Sequence, residues 1–161
     1  MIEIKPIEPQ QVSEAKLMML GVADRIYQWG KPIDELVRYF DDGGDLDDLR
    51  DVQAHYFARR GTFLVALDEG RVIGTGAIRV IDEKTCELKR MWLLEAYHGE
   101  GIGYRVIQQL LEFARGAGYE KIRLETGLRQ QRAIKFYQRV GFQIISMPAD
   151  AEDDLMMEMV V

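Results

Sequence analysis

Apolar residues alternate with polar ones, or form short continuous runs, in seven segments of the chain, which is the pattern of β-strands. These segments cover residues 2–7, 62–67, 71–81, 86–94, 119–126, 142–147 and 155–161. In several other segments apolar residues recur three or four positions apart, as they do on one face of a helix. Helices are predicted from Pro9 to Gly30, from Pro32 to Phe40, from an N-terminal cap at Asp45 to Tyr56, and from Ile102 to Gly116, with Gly118 as a left-handed cap. This order of elements predicts an α/β fold with one mixed sheet and helices on both faces.

The most informative segment is the turn between the strand that ends near Leu94 and the helix that begins at Ile102. Its sequence is Tyr97-His98-Gly99-Glu100-Gly101-Ile102-Gly103. A helix that begins directly after a strand leaves several backbone N–H groups without partners at the positive end of its dipole. Glycines remove the Cβ atoms that would keep a ligand at a distance, and they permit positive φ. The turn is therefore predicted to bind an anion, most often a phosphate.

Two common phosphate-binding motifs do not fit this turn. The dinucleotide motif G-x-G-x-x-G requires a third glycine where this chain has Tyr104. The P-loop motif G-x-x-x-x-G-K-[ST] occurs nowhere in the sequence, so a P-loop nucleotide site is excluded.

The segment from Cys86 to Phe142 resembles instead the GCN5-related N-acetyltransferase (GNAT) family. That family has [QR]-x-x-G-x-[GA] between a strand and a helix, and Gly101 and Gly103 match its last two positions, whereas His98 replaces the Gln or Arg. The run Arg132-Ala133-Ile134-Lys135-Phe136-Tyr137-Gln138-Arg139-Val140-Gly141-Phe142 resembles the family's helix A-x-x-[FL]-Y-x-x-x-G-F. Gln130 stands where the family usually has Asn. The resemblance therefore covers a turn, a strand and a Tyr-containing helix in order.

The resemblance implies an acetyl-CoA-dependent N-acetyltransferase whose sheet is mixed and mostly antiparallel. The turn would bind the pyrophosphate of acetyl-CoA, and the strand before it would bind the pantetheine arm through its backbone. The residues implied in cofactor binding are Met91, Trp92, Leu93, His98, Gly99, Glu100, Gly101, Ile102, Gly103, Gln130, Ala133 and Phe136.

Two side chains are candidates for the proton transfers of amine acetylation. The departing thiolate must gain a proton, and the resemblance places Tyr137 beside it; the alternative is that Tyr137 is only a core residue. The amine must lose a proton, and Glu87 lies where several family members carry a catalytic Glu. The alternative for Glu87 is a strand carboxylate paired with Lys89 or Arg79.

Length and composition limit the number of domains, the metal sites and the cellular locations that fit this chain. A chain of 161 residues, 47% hydrophobic, predicts a single domain over residues 1–161, with its cofactor-binding core at about 86–142. One cysteine and two histidines are too few for a usual zinc site, so no metal is expected. A single cysteine permits no intramolecular disulfide, which favours a cytoplasmic location. No apolar run is long enough to span a membrane, and a net charge of −6 argues against nonspecific nucleic-acid binding.

Two acidic segments bear on the acceptor. Asp41 to Asp51 and Asp150 to Asp154 are rich in carboxylates, and the resemblance places both near the acceptor entrance. They predict a small cationic amine or a lysine-type acceptor, unless they form only a solvated surface. A catalytically silent module that binds acyl-CoA is the alternative to an enzyme, and either a monomer or a homodimer fits the sequence.

Overall fold

Both faces of one seven-stranded sheet are apolar, and helices cover each of them. The computed structural model describes residues 1–161. The strands are β1 (Ile2–Pro6), β2 (Thr62–Asp68), β3 (Arg71–Val80), β4 (Thr85–Leu93), β5 (Lys121–Gly127), β6 (Gln143–Ser146) and β7 (Asp154–Val160). The helices are α1 (Val12–Tyr27), α2 (Ile33–Asp42), α3 (Asp47–Arg50), α4 (Val52–His55), α5 (Ile102–Gly116) and α6 (Gln131–Val140).

The strand order across the sheet is β1-β2-β3-β4-β5-β7-β6. All neighbouring pairs are antiparallel except β4 and β5, which are parallel. The mixed, mostly antiparallel sheet predicted from the sequence is therefore confirmed. The β2–β3 hairpin turns at Glu69 and Gly70, both with positive φ, as the late glycine of that turn predicted.

Two apolar cores lie on opposite faces of the sheet. The larger one joins α5 and α6 to the sheet through residues such as Leu110 and Ile122, both fully buried. The smaller one joins α1 and the α3–α4 region to the other face around Tyr56 and Phe63, whose rings meet edge to face. None of the helices is both long enough and apolar enough to cross a lipid bilayer.

The helix predicted from Asp45 to Tyr56 is the main correction to the sequence-based assignment. Two single-turn helices, α3 and α4, form there instead, and they are separated at Asp51. The carboxylate of Asp51 accepts a hydrogen bond from the backbone N–H of Ala54 at 3.0 Å. Asp45 makes no such cap, since the residue before α3 is Leu46. A cap inside the segment ends one helix and begins another, because the capping residue itself adopts non-helical dihedrals.

Candidate active site between β4, α5 and α6

The parallel strands β4 and β5 separate partway along their length. Their pairing runs only from Thr85–Lys121 to Glu87–Arg123, so beyond Glu87 the edge of β4 facing β5 has no strand partner. The space between them opens into a groove of about 1060 Å³. The end of β4, the glycine-rich turn, the start of α5, one side of α6 along its whole length, and one face of α1 line this groove.

The turn before α5 lines the groove and contains backbone N–H groups without hydrogen-bond partners. The amides of residues 99–104 form no hydrogen bond within the protein, and the first bonded amide is that of Arg105, to the Gly101 carbonyl at 3.0 Å. Gly99 and Gly101 have φ values of +83° and +77°, and no atom lies within 4 Å of where a Cβ would stand on either. Free amides at a helix N-terminus are donor groups that suit an anion, so the anion site predicted for this turn stays a prediction that this geometry allows.

Side-chain contacts hold the turn from both sides. The Tyr97 hydroxyl donates to Asp68 at the end of β2 at 2.5 Å, and this bond raises the pKa of Tyr97. The His98 ring lies against the end of β4, with Nε2 3.3 Å from the Leu93 carbonyl oxygen. Gln130, just before α6, donates to the Tyr27 hydroxyl at 3.1 Å. Residues far apart in the chain therefore fix the rim of the groove.

Most of the residues predicted to bind the cofactor line this groove. They are Met91, Trp92, Leu93, His98, Gly99, Gly101, Ile102, Gly103, Gln130, Ala133 and Phe136. Glu100 does not line it, although its backbone N–H belongs to the free set.

Tyr137 lies on the groove-facing side of α6, between the rings of Phe136 and Phe142, whose centroids are 5.6 and 5.7 Å away. Its residue surface is 6% exposed, and its hydroxyl has no protein hydrogen-bond partner. Every fully buried side-chain nitrogen or oxygen has a hydrogen-bond partner. Since the Tyr137 hydroxyl has none, it is not fully buried, and it is open to the groove that Tyr137 lines. Burial raises the pKa of Tyr137 above its ordinary value, so the phenol retains its proton as a donor.

Glu87 occupies a different position. It is the last β4 residue paired with β5, and its carboxylate accepts from Arg79 at 2.9 Å. Its side chain faces the sheet surface opposite Cys86 and Leu88, which pack in the α5 core, and it does not line the groove. The ion pair with Arg79 that the sequence left open as an alternative does form.

Four of the ten carboxylates in the two predicted acidic segments form ion pairs. Asp41 pairs with Lys16 at 3.2 Å, Asp47 with Arg50 at 3.6 Å, and Asp48 with Arg90 at 2.6 Å. Glu152 of the second segment lies 3.6 Å from Arg129. The sequence showed the clustering of these carboxylates with Arg50 among them, but not Lys16, Arg90 and Arg129, which long-range contacts bring to them.

Sequence reasoning missed part of the groove wall. One face of α1 contributes Gly21, Val22, Arg25 and Ile26. The sequence signal that could have indicated this face is Gly21 itself, a glycine in the middle of an otherwise regular helix. Arginines 129, 132 and 139 also line the groove. The one carboxylate in the lining, Glu95, is paired with Arg25 at 2.7 Å. The groove therefore carries an excess of positive charge, which suits an anionic ligand.

Comparison with known proteins agrees with this geometry. Residues 24–142 match the model of the acetyltransferase (GNAT) family. N-acetyltransferase 8 of Rattus norvegicus is 37% identical over 102 residues, covering 60% of this chain and 46% of that protein. IAA acetyltransferase of Azospirillum brasilense is 37% identical over 114 residues, covering 68% of this chain and 73% of that protein. This chain thus spans less than half the length of the rat relative.

Solved structures share the fold over the whole chain. A GNAT-family acetyltransferase from Staphylococcus aureus superposes with a TM-score of 0.83, at 19% identity, covering 99% of both chains. The PaiA N-acetyltransferase of Thermoplasma acidophilum, in complex with coenzyme A, superposes with a TM-score of 0.81, at 19% identity, covering 100% of this chain and 99% of that one. The matched residues 24–142 include the turn, the open strand edge and the Tyr137 helix. The chain therefore belongs to the acetyltransferase (GNAT) family.

Proposed function

We propose that this protein is an N-acetyltransferase that moves the acetyl group of acetyl-CoA to a primary amine. The observation that carries the proposal is that one groove is lined by the Tyr137 phenol, whose hydroxyl has no protein partner, and by five of the six residues whose backbone amides are free. The amides suit the pyrophosphate of the acyl donor, and the phenol suits its sulfur. The coenzyme A complex of the Thermoplasma acidophilum neighbour supports the same donor for this groove.

The donor would lie along the groove from the turn toward the point where β4 and β5 separate. The amides of residues 99–104 hold the pyrophosphate, and Arg132 and Arg139 add positive charge on the α6 side. The free edge of β4 at Met91 to Leu93 offers backbone groups to the pantetheine arm, because β5 has already diverged from it. This path leads the thioester toward Tyr137.

The chemical step needs one proton removed and one supplied. The neutral amine nitrogen attacks the thioester carbonyl carbon, and the C–S bond of the resulting tetrahedral species then breaks. The departing thiolate takes the proton of the Tyr137 hydroxyl, and the phenolate is reprotonated from solvent. We propose that Glu87 accepts the proton lost by the amine through water, since its carboxylate is outside the groove. Glu87→Gln should then lower kcat and flatten the acid limb of the pH–rate profile, and unchanged kinetics would remove Glu87 from the mechanism.

For the acceptor we propose a small cationic amine or a lysine-type side chain. Carboxylates without an ion-pair partner support this class, and Asp154 is the best placed of them. Its Oδ1 lies 3.5 Å from the position that a Cβ on Gly127 would take. Gly127 is the last residue of β5, and the groove residues Arg129 and Gln130 follow it closely in the chain. The sequence also predicts a cytoplasmic location, a monomer or homodimer, and no binding of nucleic acid or membranes. These stay predictions.

The experiment that tests the function measures coenzyme A release from acetyl-CoA with a panel of primary amines, amino acids and lysine peptides. Release that depends on an amine, together with the acetylated product by mass spectrometry, is the expected result. Tight binding of acetyl-CoA by calorimetry without turnover of any amine would favour the catalytically silent module instead.

A further inference from the structure

Strand β4 contains an irregularity just before it reaches the groove. Opposite β3, Trp92 pairs with Thr75 but Lys89 pairs with Ala77, so two residues of β4, Arg90 and Met91, stand against one residue of β3. This is a β-bulge, which inserts an extra residue and redirects the strand that follows. The redirected segment is Met91 to Leu93, the part of β4 that lines the groove.

The backbone of the bulge is strained at Arg90. Its φ is +55°, and it is the one non-glycine residue with positive φ that lies inside a strand. Left-handed dihedrals are unfavourable for any residue with a Cβ. Without contacts that hold it, an arginine at this position would therefore tend to return to extended geometry. Such a return would remove the bulge and shift the groove-facing residues.

A buried ion pair opposes that return. Arg90 donates from Nε to Asp48 at 3.0 Å and from a terminal nitrogen to the other Asp48 oxygen at 2.6 Å, and it also donates to the Asp45 carbonyl at 2.6 Å. The two charged side chains are only 18% and 10% exposed. The buried Tyr56 hydroxyl donates to Asp48 at 2.5 Å, and the Thr75 hydroxyl donates to the Arg90 carbonyl at 2.6 Å. Hydrogen bonds thus fix both the side chain of Arg90, through Asp48 and Asp45, and its backbone carbonyl, through Thr75.

We propose that Asp48 and Arg90 form a clamp that holds the β4 bulge, and with it the backbone of Met91 to Leu93, in the conformation that binds the acyl donor. Neither residue lines the groove, so both are positioning residues. The clamp also ties the α3 segment to the strand that the donor contacts. This inference rests on the proposed function, because it concerns the binding of acetyl-CoA.

The test compares Arg90→Ala with Arg90→Gly. Both substitutions remove the clamp, but glycine adopts positive φ without a penalty, so it can keep the bulge unaided. Calorimetry should therefore show acetyl-CoA binding about tenfold weaker in Arg90→Ala than in Arg90→Gly, the size of the left-handed penalty for a residue with a Cβ. If the single variants do not fold, the same pair is made together with Asp48→Asn, which leaves no unpaired buried carboxylate.

A matched control comes from Arg60, whose φ of +56° is nearly the same. Its side chain bonds the carbonyls of Glu83 and Ala117, outside the groove, so Arg60→Ala and Arg60→Gly should both bind acetyl-CoA as the wild type does. Equal affinities of the two Arg90 variants, beside a wild type that binds tightly, would overturn the clamp alone. A wild type that does not bind acetyl-CoA would overturn the proposed function and the clamp together.

Discussion

A phenol can protonate a thiolate only while it keeps its own proton, and burial secures this for Tyr137. Because burial raises the pKa of Tyr137 above the ordinary value of about 10, loss of this proton should cause no fall in activity below about pH 10. Tyr137→Phe removes the donor but keeps the ring between its aromatic neighbours. We expect kcat to fall about 10²-fold, with the affinity for acetyl-CoA nearly unchanged.

The control for that substitution is Tyr39→Phe, which removes a hydroxyl from a side chain that is outside the groove and 70% exposed. Its kcat should equal that of the wild type. A Tyr137→Phe enzyme with wild-type kcat would show that Tyr137 is only a core residue.

Asp48 supports a prediction about stability and pH. Burial by itself raises the pKa of Asp48, but the hydrogen bonds and charge of Arg90, together with the Tyr56 hydroxyl, outweigh it and lower the pKa below the ordinary value. A carboxyl with a lowered folded-state pKa contributes stability above its unfolded pKa, about 3.9, and loses it as the pH falls through the folded value.

Asp48→Asn should therefore destabilise the protein by about 3 kcal/mol at pH 7, because it leaves the guanidinium of Arg90 buried without a counter-charge. The difference from the wild type, measured by urea unfolding, should be constant between pH 7 and 5 and should shrink below about pH 4. A difference that does not change on acidification would mean that Asp48 acts through shape and packing alone.

At the scale of elements, the groups proposed to bind the pyrophosphate at the start of α5 are backbone amides, so no side-chain truncation removes them. Gly101→Val would place a β-branched residue at a φ of +77° and a side chain in the space that the free amides face. We expect acetyl-CoA binding to be lost by calorimetry while the far-UV circular dichroism spectrum stays that of the wild type.

Gly70→Val is the matched control, since its φ of +79° is almost identical and its Cβ position is equally open, in the β2–β3 turn away from the groove. Both variants should lose similar stability, and Gly70→Val should bind acetyl-CoA normally. Undiminished binding by Gly101→Val would show that the phosphate site lies elsewhere.

For the whole molecule, two charge distributions oppose each other. The net charge of −6 repels an anionic donor at long range, whereas the arginines of the groove attract it locally. The same net charge attracts a cationic acceptor. Because Asp41, Asp47 and Asp48 are paired, this attraction arises from the remaining carboxylates and from the net charge.

A diamine should therefore give a higher kcat/KM than a dicarboxylic amino acid. The ratio should fall as salt is raised, because exposed charges are screened beyond about 10 Å at 0.1 M ionic strength. The measurement is kcat/KM for both acceptors at low and high ionic strength. A preference for the acid, or a ratio independent of salt, would show that these aspartates form only a solvated surface.

Features set by neighbours in the chain were predictable from the sequence. The glycines of the turn, the Tyr-containing helix and the strand segments each follow from the residue types at short spacing, because φ preferences and side-chain periodicity are local. The β2–β3 turn and the glycine-rich turn before α5 accordingly form where the sequence placed them. The helix predicted from Asp45 was wrong because several aspartates there could cap a helix, and local preference did not choose among them.

Only the tertiary structure decided which residues meet across the fold. Arg90 reaches Asp48 from 42 positions away, and Arg25 reaches Glu95 from 70 positions away. The bulge in β4, the contribution of α1 to the groove and the ion pairs of Asp41 and Asp48 all depend on such contacts. Their physical basis is strand register and the packing of helices on the sheet, which a one-dimensional pattern does not specify. The sequence by itself therefore determined the glycine-rich turn before α5 and the family to which the chain belongs, whereas the tertiary structure decided which carboxylates remain without an ion-pair partner.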